Sequence, residues 1–152
     1  MSNFLTALVQ LPLVRETARE KIRTPDDVYR VCGDIAQLAQ ESFFVLTVTA
    51  KHHLISRHLV SLGLVDASLV HPREVFRVAI REDGGASALV LAHNHPTGDP
   101  TPSAEDIRIT RQLVQAGQIV DITVLDHVVI GRPLGSSPAF VSMRESGLCT
   151  FA

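Results

Sequence analysis

Cysteine is scarce in this chain of 152 residues. Cys32 and Cys149 are the only two, and neither lies in a Cys-x-x-Cys pair, so neither a disulfide framework nor a thiolate zinc knuckle can be built from them. A single bridge between them stays open, although two thiols in a reducing cytosol is the simpler reading. A long apolar run is missing as well. Met1 to Val14 is apolar but short, and the first positive charge, Arg15, comes after it. A secretory signal places that charge first, and a membrane span requires roughly 20 apolar residues. A cytoplasmic protein with no membrane attachment is expected. There is no excess of one charge: 14 Lys and Arg against 16 Asp and Glu leave a net charge of −2. No overall attraction to nucleic acid or membrane is therefore implied. Internal repeats and low-complexity tracts are also lacking. What remains is an ordinary globular composition, 45% hydrophobic and 20% charged. It excludes disorder for the bulk of the chain and suits one domain burying about two-thirds of its unfolded surface.

Residues 1–23 mix apolar and charged side chains without a clean period, which predicts an extended or loosely attached arm. Thr24-Pro25-Asp26-Asp27 is a helix start, with Thr24 as cap, Pro25 in the first helical position and acids in the first turn. Val28, Val31, Cys32, Ile35, Leu38 and Ala39 then recur at helical spacing, predicting a helix to about Gln40. Ser42 to Ala50 is aromatic and β-branched, hence a strand. Lys51-His52-His53 reads as a hairpin connection to a second strand, Leu54 to Gly63. His71-Pro72-Arg73-Glu74 opens another helix, with Val75, Val78 and Ala79 towards a sheet and Arg73, Arg77 and Arg81 towards water. Gly84-Gly85 is expected to end that helix through a positive φ.

A buried strand over 86–92 follows, then a proline-rich loop and a helix from about Ser103 to Ala116, ended by Gly117. Ile119 to Leu125 and His127 to Ile130 read as two short strands broken near Asp126, and Ala139 to Met143 as a final edge strand. Helices alternating with strands around a buried central strand argue for a three-layer α/β sandwich.

The informative stretch is Ala92-His93-Asn94-His95-Pro96-Thr97-Gly98-Asp99-Pro100-Thr101-Pro102-Ser103-Ala104-Glu105-Asp106. Histidines at i and i+2 on a strand share a face. A carboxylate eleven residues on, at a helix start, can be brought back beside them. His93, His95 and Asp106 make a set suited to one catalytic zinc, with the fourth position left for water. Plainer readings stand beside this one. Two strand-end histidines can be polar groups at a sheet edge, and Ser103-Ala104-Glu105-Asp106 fits a capping box, which would also fix the helix end presenting Asp106. Asp99 reads as a turn former, Asn94 as a residue tying down the loop, and His127 as a structural, hydrogen-bonded histidine. His52, His53 and His58 read as surface or edge residues.

At these residues the sequence resembles the JAMM (MPN/JAB) metalloprotease fold, and more closely the RadC family, whose members carry a stretch very like H-N-H-P-T-G-D-P-T-P-S-A-E-D. The likeness extends to His71 through Arg77, to Val124-Leu125-Asp126-His127 and to Phe140-Val141-Ser142. It covers roughly residues 24–148, leaving 1–23 as the arm and 149–152 as a tail. The resemblance implies a mixed central β-sheet flanked by helices, as in cytidine-deaminase-like folds. It also implies that His93, His95 and Asp106 bind Zn²⁺, that Ser103 supports an oxyanion, and that Glu41 is the general base. A base beside the metal makes physical sense, since attack on an amide requires a group that takes a proton and passes it to the leaving amine. Glu74 is the rival for that role, but it sits on a helix of basic surface residues. Other zinc plans fit worse: there is no His-Glu-x-x-His helix and no Pro-Cys-x-x-Cys.

The implied activity is zinc-dependent hydrolysis of a peptide or isopeptide bond in an unidentified peptide or protein substrate. Two alternatives accompany it. RadC-like proteins are commonly labelled as DNA-repair factors, and members often carry an N-terminal helix-hairpin-helix region that grips DNA. Only about 23 residues precede the first helix here, so this reads as a short form without that region, with DNA binding by the chain alone weak or absent. Arg73, Arg77, Arg81, Arg108 and Arg111 read as solvated helix faces rather than a phosphate track. The other alternative is a metal-stabilised, non-catalytic binding module. A homo-oligomer is compatible with all three.

Overall fold

A computed structural model describes residues 20–63 and 70–151. Most of the expected arm, residues 1–19, lies outside the described residues, as does Ala152 of the tail. The arm's last residues run extended: Ile22 N–H donates to the His52 carbonyl at 2.9 Å, and Leu54 N–H to the Glu20 carbonyl at 2.8 Å. Thr24 then caps α1 (Pro25–Cys32) in a reciprocal box with Asp27, which satisfies donors that the first helical turn would leave free.

The helix stops well short of Gln40. At Gly33 the chain tightens into a 3₁₀ turn, Gly33–Gln37, that buries Ile35 and Ala36. The carbonyls of Leu38 and Gln40 bond to the Asn94 side chain instead of to helical N–H groups, so the apolar spacing continues while the helix does not.

Two strands follow, β1 (Ser42–Val48) and β2 (Leu54–Leu62), joined through the expected 51–53 turn, where His52 takes φ 61°. Helix α2 (Pro72–Ile80) leads to β3 (Ala88–Asn94). Gly84 and Gly85 have positive φ but do not cap α2. Its cap is Arg81 in a right-handed conformation, and the glycines instead turn the chain so that Ala86 N–H reaches back to the Ala79 carbonyl.

Helix α3 (Ala104–Val120) runs straight through Gly117 and ends at Asp121, which takes the left-handed conformation. Gly117 is a close-approach residue rather than a stop: a Cβ there would lie 2.4 Å from the Ile122 carbonyl oxygen. The remaining strands are β4 (Thr123–Ile130) and β5 (Phe140–Ser142).

The expected break near Asp126 is a bulge inside one strand. Leu89 pairs with Val124 and Leu91 with His127, so Leu125 and Asp126 together face Val90. Asp126 replaces the lost ladder bonds by accepting from the backbone N–H groups of His127 and Arg144 and from the Ser142 hydroxyl. Val124 faces one layer, but beyond the bulge His127 faces that same layer and Val128 the other.

The five strands form one mixed sheet in the order β2-β1-β3-β4-β5, with only β3 and β4 parallel. One face packs Phe44, Leu46, Val90, Ala92, Val128 and Ile130 under α1 and the 3₁₀ turn. The other packs Phe43, Val45, Leu89 and Leu91 under α2 and α3. This is the expected three-layer α/β sandwich. Cys32 and Cys149 are free thiols buried in different clusters. No helix among the described residues is long and apolar enough to cross a membrane.

Candidate metal centre

Strand alternation at the end of β3 sends His93 to the α3 side and Asn94 to the opposite side. His95, one residue past the strand, still bonds in register through its N–H to the Ile130 carbonyl at 2.9 Å. The chain then turns at Gly98 (φ 91°), whose carbonyl accepts from Arg132 N–H at 2.8 Å. The Arg132 guanidinium grips the same loop by donating to the Pro96 carbonyl at 2.9 Å. Asp99 is the expected turn former, its carboxylate accepting from the N–H and hydroxyl of Thr101. Its backbone carbonyl does a second job and accepts from His95 Nδ1 at 2.8 Å.

Ser103 caps α3. Its hydroxyl accepts from Asp106 N–H at 3.0 Å, and Asp106 Oδ2 accepts from Ser103 N–H at 2.8 Å. The capping box expected at Ser103 and Asp106 is therefore present, and it aims Asp106 back at the histidines. His93 Nε2 lies 3.0 Å from His95 Nε2 and 3.4 Å from Asp106 Oδ1, while His95 Nε2 lies 3.2 Å from Asp106 Oδ2. Glu41, in the segment leading into β1, places Oε1 3.7 Å from His93 Nε2. Glu41, His93, His95 and Asp106 each offer one ligand atom, and the four atoms lie within 4.8 Å of one another.

These positions suit a metal. Ligand bonds of about 2.1 Å in tetrahedral zinc place ligand atoms about 3.4 Å apart, close to the His93, His95 and Asp106 spacings. The local electrostatics also favour a positive charge. Burial pushes the Asp106 carboxyl up, but the His93 and His95 imidazoles beside it outweigh that and hold the group well below the usual carboxylate range. Burial lowers His95, yet its bonds to Asp106 and the Asp99 carbonyl hold it above the ordinary histidine value. A site that retains a carboxylate and draws a proton onto a neighbouring imidazole will exchange that proton for a metal cation.

The buried surroundings hold residues that the sequence reading weighed differently or missed. His127 is fully buried with its Nε2 2.7 Å from His93 Nδ1, and its Nδ1 is 2.5 Å from the Thr110 hydroxyl. It is hydrogen-bonded, as expected, and stands outside the converging group. Burial holds its imidazole well below the ordinary value. The sequence signal for Thr110 is its place four residues after Asp106 on one helix face.

Asn94 ties down a different segment from the one expected. Its carbonyl accepts from the Ser42 N–H and hydroxyl, both at 2.7 Å, and its amide donates to the carbonyls of Leu38 and Gln40. Glu41 lies within that bracket. The rival Glu74 pairs with Arg73 and Arg77 on the α2 surface. His53 joins an isolated bridge to Lys21, and His58 pairs with Glu82 at 2.5 Å.

The profile of the RadC-like JAB domain matches residues 22–148. The sequence is also similar to UPF0758 proteins. One from Desulforamulus reducens is 44% identical over 131 residues, covering 84% of this chain and 53% of that protein. One from Halalkalibacterium halodurans is 44% identical over 140 residues, covering 91% and 57%. One from Symbiobacterium thermophilum is 53% identical over 116 residues, covering 76% and 47%. The chain thus spans about half the length of these relatives.

Proposed function

Since the chain belongs to the RadC-like JAB domain family, we propose that it is a zinc-dependent amide hydrolase acting on a peptide or isopeptide bond. The observation that carries this reading is the convergence of Glu41, His93, His95 and Asp106 within 4.8 Å. In it, His93, His95 and Asp106 hold one zinc per chain. When bound, zinc supplies Lewis acidity that lowers the pKa of water to about 7.

The chain's own groups do the rest. Glu41 stands beside the histidines rather than among the tightest contacts, and as general base it takes a proton from the attacking water and returns it to the leaving amine. Ser103 is exposed, and its cap uses the hydroxyl only as acceptor. The hydroxyl proton therefore remains available to donate to a developing oxyanion. Asn94 fixes the backbone on both sides of Glu41, so the carboxylate is held rather than searched for.

Three of the five helix arginines favour this reading over a grip on nucleic acid. Arg73 and Arg77 lie against Glu74, and Arg108 against Glu105 at 2.5 Å, so their charge is already answered on their own helices.

A peptide-library cleavage assay with zinc-loaded protein tests the proposal, with Glu41→Gln as control. Cleavage that requires zinc and falls by about 10²–10⁴ in the variant supports it. Cleavage that survives Glu41→Gln unchanged removes the base from Glu41.

A further inference from the structure

We propose that Thr110 and His127 are positioning residues for the metal: a buried hydrogen-bond chain from the Asp106 carbonyl through both side chains holds His93 as the Nδ1–H tautomer. Its Nε2 lone pair is thereby turned towards His95, Asp106 and Glu41. The inference rests on the metal-binding part of the function proposed above and names residues that help set how tightly the metal is held.

Metal binding sets the direction of the chain, because it needs a lone pair on His93 Nε2 and therefore the proton on His93 Nδ1. The backbone carbonyl of Asp106 can only accept, and Thr110 Oγ1 lies 2.6 Å from it, so the single hydroxyl proton goes there. Among the described residues the other possible acceptors near that proton are the Met143 sulfur at 3.6 Å, a far weaker partner, and His127 Nδ1, which in this direction is a donor. Thr110 Oγ1 must then accept from His127 Nδ1, 2.5 Å away, which makes Nδ1 the protonated nitrogen of His127. In a fully buried neutral imidazole the other nitrogen carries a lone pair. His127 Nε2 therefore accepts from His93 Nδ1–H at 2.7 Å, and His93 Nε2 is left unprotonated. His95, once the proton it shares with Asp106 has left, reaches the same state by a separate route, donating its Nδ1–H to the Asp99 carbonyl at 2.8 Å.

The chain also links two ligands on different elements. It begins at Asp106 on α3, crosses β4 through His127 and ends at His93 on β3. Phe43 seals it, stacking on His93 with ring centroids 5.9 Å apart and meeting His127 edge-on at 5.4 Å. A metal-ligating histidine usually donates its second N–H to a carboxylate or a backbone carbonyl. Here a neutral imidazole, backed by a hydroxyl, performs that task and adds no negative charge to the ligand set.

The test uses the full chain in metal-free form. Imidazole ¹⁵N resonances report the His93 tautomer, competition with a chromophoric chelator reports zinc affinity, and cobalt absorption reports ligand geometry. Thr110→Val keeps the side-chain shape and removes the hydroxyl. It is expected to weaken zinc binding 10–100-fold and to populate the Nε2–H tautomer of His93. Thr110→Ser restores the hydroxyl and is expected to behave as wild type in both measurements. His127→Phe is expected to match Thr110→Val, and if it does not fold the valine and serine variants decide alone.

Wild-type zinc affinity and an unchanged His93 tautomer in Thr110→Val overturn the relay. Equal losses in Thr110→Val and Thr110→Ser also overturn it, because packing and not the hydroxyl would then matter. A wild-type chain that takes up no zinc, even with His93 as the Nδ1–H tautomer, overturns the metal reading and this proposal with it.

Discussion

At the scale of single residues, Glu41 and Asp106 are both carboxylates beside the same two histidines, and their surroundings separate them. Asp106 is buried and accepts from its own helix cap, whereas the Glu41 side chain is 34% exposed. Asp106→Ala is expected to abolish stoichiometric zinc uptake, measured by elemental analysis, and to cost about 1 kcal/mol through the lost cap. Glu41→Gln is expected to keep zinc near one per chain while turnover falls, and an emptied site would make Glu41 a ligand. Ser103→Ala should keep zinc, lose about 10²–10³ in turnover if the hydroxyl meets the oxyanion, and melt slightly earlier.

The His95–Asp106 pair also carries a pH signature in the metal-free chain. The raised His95 value means that its proton stabilises the fold below about pH 6.5 and that this contribution is lost as pH rises through the folded value. The depressed Asp106 value adds stability above about pH 3.9 that is lost as pH falls through its folded value. Between those limits the metal-free melting temperature should gain most from the pair, and zinc should extend the gain to higher pH. Melting curves with and without zinc, compared with His95→Ala, check this. A wild-type pH profile that parallels the variant's would contradict it.

At the scale of elements, the site depends on how strand and helix ends are finished. Asn94 is fully buried and bonds to both sides of Glu41. Asn94→Ala leaves those backbone groups without a partner and should cost about 1–3 kcal/mol in chemical unfolding, with zinc uptake largely kept. Gly117→Ala presses a methyl group against the Ile122 carbonyl and should also cost about 1–3 kcal/mol, because the helix and the lead-in to β4 must part. The metal loop and the α3 cap were legible in the sequence because prolines, a glycine, Ser103 and Asp106 act locally. The early end of α1, the role of Gly117 and the bulge in β4 were not. The first and third are set by partners far along the chain, Asn94 and the pair Leu89 and Leu91, and the second by the turn that brings the Ile122 carbonyl back against the helix.

At the scale of the whole molecule, three layers meet where the sheet's central strands end, and the converging residues come from the end of β3, from α3 and from the approach to β1. Binding there ties distant parts of the chain together, so zinc should raise the melting temperature. Free zinc at 100 times its dissociation constant adds about 2.7 kcal/mol, which a thermal-shift titration reads directly.

The bulge in β4 has a consequence that reduces to parity. A strand assigns its residues to two sides by odd and even position, and the rule cannot be broken by side-chain preference alone. By inserting one residue at Leu125–Asp126, β4 changes parity halfway along. Its first half and its second half therefore obey opposite assignments. Strict alternation with both residues kept would impose a single parity on the whole strand. His127 would then be delivered among the apolar side chains under α1, and Val128 would face His93.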